Sequence, residues 1–103
     1  MYKSKFSTDE IDELIKAVVS IKNEEECSRF FEDICTINEL NSLAQRFHVA
    51  KMLKAGNHYT DIVKSTGASS ATVSRVNRAL TYGADGYNII IDRLNNEDNK
   101  IDE

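Results

Sequence analysis

The sequence predicts an all-α protein of about six helices in a single domain, and three observations predict it. Apolar residues recur three and four positions apart instead of alternating. Proline is absent and glycine occurs only four times, so few residues interrupt a helical pattern. Hydroxyl or amide residues followed three positions later by Glu recur along the first half of the chain, and each such pair marks a helix start. A chain of 103 residues has room for one domain, and a domain this small buries a modest share of its surface. Association with a second copy is then a natural source of further core.

The first start is Ser7-x-x-Glu10, a capping box in which the hydroxyl accepts from the amide three residues on and the carboxylate accepts from the cap amide. Ile11, Leu14, Ile15, Val18 and Val19 follow at helical spacing, so the first helix should run from about Thr8 to Ile21. Asn23 with Glu26 opens a second helix, with Phe30, Phe31 and Ile34 on its apolar face. Its acidic first turn, Glu24 to Glu26, suits the positive end of the helix dipole and needs no metal or acid–base role. Thr36-x-x-Glu39 opens the third and longest helix, with Leu40, Leu43, Phe47, Ala50 and Leu53 as one stripe and Ala55-Gly56 as its stop.

The stretch Tyr59 to Tyr82, YTDIVKSTGASSATVSRVNRALTY, reads as two short helices joined at Gly67. If Gly67 is the turn glycine of a helix-turn-helix, Ile62, Ala68, Val73 and Val76 fall where such a unit needs small or aliphatic side chains. Val63 is larger than the residue usual at its place. Ser69 or Ser70 caps the second helix, leaving the amides of Ala71 and Thr72 at a positive terminus suited to phosphate. Ser70, Ala71, Ser74, Arg75 and Arg78 then share the outward face. Short side chains admit the start of a helix to the major groove, and donors further along reach bases or phosphates.

The overall charge of −4 hides a division that agrees with this reading. Residues 1–40 carry five Lys or Arg against ten Asp or Glu, and residues 83–103 carry two against six. Residues 41–82 carry six cations, Arg46, Lys51, Lys54, Lys64, Arg75 and Arg78, against Asp61 alone. Phosphate neutralisation depends on the local field more than on the isoelectric point, so the basic middle can meet DNA, with Lys54 and Lys64 as candidate phosphate contacts. Lys51 and Lys54 also suit the negative end of their own helix whatever the partner.

Other chemistries lack their residues. Cys27 and Cys35 have no CxxC spacing and read as reduced, packed thiols, while His48 and His58 belong to no zinc ligand set. Cys27 with His48 is the one nucleophile–base pair to name, and no motif surrounds either, so no enzymatic activity is expected. The polar N-terminus has no apolar leader region and no run approaches a membrane span, so a cytoplasmic protein is expected.

The segments TINELNSLAQRFHVAKMLKAG and YTDIVKSTGASSATVSRVNRAL resemble the tryptophan repressor and its relatives of the YerC/YecD type, over roughly residues 7–95. The resemblance implies an intertwined homodimer with the N-terminal helices in the dimer core. It also implies paired recognition helices reaching successive major grooves about 34 Å apart on a palindromic operator. In that family two arginines sandwich an indole near a Thr-headed helix start, and Arg46, Arg75 and Thr36 match them. The residue after the second arginine is Gly there and Val76 here, which crowds an indole slot and argues against tryptophan. A smaller amino acid, or no effector, stays open.

Tyr87, Ile90, Ile91 and Leu94 form a last apolar stripe on a short helix, so the domain should span 1–95 and residues 96–103 should form an acidic flexible tail. The functional expectation is a sequence-specific transcriptional regulator, a repressor, that binds double-stranded DNA as a homodimer. The alternative is a helical protein-interaction module that binds neither DNA nor a ligand.

Overall fold

The computed structural model describes the backbone of residues 1–102 and the side chains of residues 1–98. Among the described residues there are six α-helices and no strand: α1 Asp9–Val19, α2 Glu24–Ile34, α3 Ile37–Lys54, α4 Tyr59–Thr66, α5 Ser70–Tyr82 and α6 Gly86–Asp102. The chain divides into two compact units, Met1–Leu40 and Asn41–Glu103, and the boundary falls inside α3.

In the first unit, the helix starts follow local hydrogen bonding. The cap of α1 is Thr8, one residue later than the expected Ser7: Thr8 Oγ1 accepts from the Ile11 amide at 3.1 Å. Ser7 instead donates to both carboxylate oxygens of Asp12 at 2.9 Å. Asn23 caps α2 by accepting from the Glu26 amide at 2.9 Å, while a Glu26 carboxylate oxygen accepts from the Lys22 amide at 3.1 Å. At α3 both halves of the expected box form, with Thr36 Oγ1 accepting from the Glu39 amide at 3.1 Å and Glu39 Oε1 accepting from the Thr36 amide at 2.8 Å. No residue of α1 or α2 is buried, and Ile15 and Val19 are 56% and 77% exposed.

The core lies in the second unit. Val49, Ala50, Ile62, Ala68, Val73, Val76 and Ile91 are all at most 2% exposed, and Phe47, Met52, Leu53, Val63, Leu80 and Tyr87 pack partly against them. All four small or aliphatic positions expected of the helix-turn-helix are thus buried. Each fully buried aliphatic side chain stabilises the fold by roughly 1.5–3 kcal/mol. The stripe expected on α3 is only partly the buried one. Ala50 belongs to the core, Leu43 is exposed, and Val49 is buried instead. Apolar residues occur around more than one side of α3, so spacing alone does not select its buried edge.

Two glycines shape the connections. Gly67 ends α4 with φ +72°, its amide donating to Val63 O at 3.0 Å, in the left-handed conformation that turns the chain into α5. Gly83 ends α5 for a different reason: a Cβ there would overlap the Ala79 carbonyl. Asp85, at φ +70°, completes the turn into α6. The last helix exceeds the short one expected, taking up residues 96–102 of the presumed tail as helical backbone, and Glu103 lies outside the described residues. No described helix is long and apolar enough to cross a membrane.

The Thr36 amide, with its hydroxyl adding to the effect, holds the Glu39 carboxyl below its ordinary value of 4.5. A depressed carboxyl stabilises the folded state fully above its unfolded pKa and loses that contribution as pH falls through the folded value. An NMR titration of the Glu39 carboxyl should therefore give a midpoint below 4.5, and Thr36→Val, which removes the hydroxyl, should raise it toward that value. Gly83→Ala should lower stability by about 1–3 kcal/mol in chemical denaturation, since the obstacle is backbone and cannot rotate away.

Candidate nucleic-acid interface

The exposed side of α5 is built on its buried side. Val73 and Val76, three residues apart, fix one face of the helix in the core. Ser70, Ala71, Ser74, Arg75 and Arg78 are thereby turned outward, and all five are exposed. The face begins with three small side chains and continues with two guanidinium groups. Lys64, on α4, is also exposed.

Ser69, and not Ser70, is the cap of α5. Its Oγ accepts from the Thr72 amide at 3.1 Å and donates to Thr72 Oγ1 at 3.0 Å. The Thr72 amide is therefore occupied by the cap and not free for a phosphate, and the half-buried Thr72 side chain is drawn into the same pair. No acidic residue stands in the first turn of α5, so nothing there offsets its positive end.

The preceding turn is held from three directions. Thr66 Oγ1 donates to Ile62 O at 2.6 Å and accepts from the Ala68 amide at 3.1 Å, while Gln45 Nε2 reaches from α3 to Thr66 O at 3.2 Å. Spacing does not reveal Gln45, because a polar residue inside a helix gives no sign that it reaches 21 residues along the chain.

Lys54 stands apart from the other candidate cations. Its Nζ lies 2.9 Å from Asp92 Oδ1 and 2.9 Å from Asn88 Oδ1, so its ammonium is engaged within the protein. The candidate effector residues are likewise not equivalent. Thr36, in the first unit, has its hydroxyl and its amide in the capping box of α3. Arg46 and Arg75 belong to the second unit, the former half-buried and the latter exposed. Val76 is packed in the core at 2% exposure. Cys27 and Cys35 are free thiols, and no group of three or more potential metal-ligating residues occurs among the described residues.

A helix-turn-helix whose second helix presents small side chains followed by arginines defines a class, and comparison with known proteins identifies it. The family model of the Trp repressor protein matches residues 9–95, and the chain belongs to that family. Uncharacterized protein YerC of Bacillus subtilis (strain 168) is 52% identical over 94 residues, 91% of this chain and 90% of its own length. Among solved structures, a TrpR like protein from Eubacterium eligens ATCC 27750 is 53% identical with a TM-score of 0.83, covering 88% of this chain and 94% of its own. A crystal structure from Staphylococcus aureus, provisionally named a Trp repressor, is 49% identical with the same TM-score of 0.83, covering 88% and 91%.

Replacing Ser69 with Ala should cost about 1 kcal/mol of stability by thermal or chemical unfolding, because the Thr72 amide loses its acceptor. Ser70→Ala, which removes no cap, should change stability by less than about 0.5 kcal/mol.

Proposed function

We propose that this protein is a sequence-specific DNA-binding transcriptional regulator, acting as a repressor, that binds a palindromic operator as a homodimer. The observation that carries the reading is the outward face of α5, small at Ser70, Ala71 and Ser74 and cationic at Arg75 and Arg78, on a helix anchored by buried Val73 and Val76. The small residues let the start of the helix enter a major groove, and the arginines can reach guanine edges or phosphates. Membership of the Trp repressor family supports the same reading.

The homodimer is supported by unpartnered apolar surface. Ile11, Leu14, Ile15, Val18 and Val19 are exposed along α1. In the second unit an open groove of about 530 Å³ is lined by Phe47, Ala79, Ala84, Gly86, Tyr87 and Ile90. Apolar patches of this kind on a soluble chain mark interaction surfaces. DNA binding in this proposal does not require tryptophan: the Thr36 hydroxyl and amide are committed to the capping box of α3, and Val76, next to Arg75 in the sequence, is packed in the core.

Selection of genomic fragments by the purified protein, with and without a panel of amino acids, tests the reading. It predicts recovery of a common palindrome whose enrichment is independent of added tryptophan. Recovery of no shared sequence, together with capture of a protein partner through the same face, would instead favour an interaction module. On the selected duplex, Arg75→Ala and Arg78→Ala should each weaken binding by about 1–3 kcal/mol, and a lost phosphate contact should lower the salt slope by about 0.9. Unchanged affinity and slope in both variants would remove α5 from the groove.

A further inference from the structure

The burial that anchors α5 ends before the helix does. Val76 is its last fully buried residue, Ala79 and Leu80 are half-buried, and Thr81 and Tyr82 are exposed. The last turn is therefore held by the partial packing of Leu80 together with hydrogen bonds. A helix C-terminus leaves carbonyls without intrahelical donors. Here the Gly83 amide takes Ala79 O at 2.9 Å, and the next carbonyl, Leu80 O, accepts from Asn88 Nδ2 of α6 at 3.1 Å.

Asn88 does more than cap that carbonyl. Its Nδ2 also donates to Asp85 Oδ1 at 2.8 Å, and its Oδ1 accepts from Lys54 Nζ at 2.9 Å. A single orientation of the amide satisfies all three contacts, because a flipped amide would set an oxygen against a carbonyl and a carboxylate and a nitrogen against an ammonium. Lys54 is held in turn by Asp92 Oδ1 at 2.9 Å. One side-chain amide thus joins the end of α3, the end of α5, the left-handed turn at Asp85 and the start of α6.

We propose that Lys54 and Asn88 form a positioning latch for the DNA-reading helix, in which Lys54 acts through the Asn88 amide and not on a phosphate. The inference rests on the reading of α5 as the DNA-contacting element. Arg78 stands two residues before the latched carbonyl, so a release of Leu80 O loosens the turn that follows Arg78 while the core at Val73 and Val76 stays closed. Lys54, a phosphate candidate by charge alone, then becomes a residue that orients others.

Two measurements on the full chain test this. Lys54→Met, Asn88→Ala and the double variant are titrated against the selected duplex over a range of salt. Each single variant should lose about three- to tenfold in affinity, as expected for one lost hydrogen-bonded contact. Their salt slopes should equal that of the unaltered protein, and the double variant should bind no worse than the weaker single variant, because both break one latch. A drop of about 0.9 in the slope for Lys54→Met, with Asn88→Ala unaffected, would make Lys54 a phosphate contact and overturn the proposal. Amide hydrogen exchange of the free protein supplies the second measurement. Asn88→Ala should lose protection in the last turn of α5 and keep it in α4; unchanged protection in α5, or loss spread evenly over the chain, would overturn the latch. If the unaltered protein selects no DNA, the functional reading fails, and the exchange result still decides whether the latch exists.

Discussion

The packing of Val73 and Val76 against Ile62, Val49, Ala50 and Ala68 is the contact on which the second unit depends. It closes the angle between α4 and α5, and because a helix has one inward face, it also decides which residues of α5 meet solvent. Small side chains make the junction work: Ala68 sits in the turn before the second helix at 2% exposure, and Gly67 supplies the positive φ that the turn requires. A bulkier core residue here would disturb the fold and the pose of Arg75 and Arg78 together.

Around that contact the chain distributes polar work by position. The Ser69 cap settles the beginning of α5, the Gln45 contact to Thr66 O steadies the turn before it, and Asn88 takes the carbonyl near its end. These groups are modest individually, each worth about a kcal/mol or less in net terms. They act at the ends of α5 and in the turn before it, where backbone groups lack partners within a helix. Charge follows the same division, with cations concentrated in residues 41–82 and the acidic residues placed on either side. The acidic total is no obstacle to an anionic partner, since the field that a ligand meets is local.

Much of this was legible in the residues. The six helices, the turn at Gly67, the four buried positions of the motif and the capping box at Thr36 all rest on short-range patterns, and those are what sequence spacing reports. The misses share a physical cause. Thr8 and Ser7 are adjacent hydroxyls, and only the backbone geometry decides which one caps. The buried edge of α3 depends on what packs against it, so spacing does not separate buried Val49 from exposed Leu43. The contacts of Lys54 with Asn88 and Asp92 are equally outside the reach of spacing, since these partners lie 34 and 38 residues away in sequence. The length of α6 was underestimated because its acidic, amide-rich second half carries no apolar stripe to announce a helix.

The proposed function places one face of α5 against DNA. An amide chemical-shift titration of the protein with its selected palindromic duplex tests it most directly. The largest changes should fall between Ser69 and Arg78, with smaller ones at Lys64 and little along α1. Changes centred on the groove residues Phe47, Ala79, Tyr87 and Ile90, with the Ser70 to Arg78 face unperturbed, would contradict it.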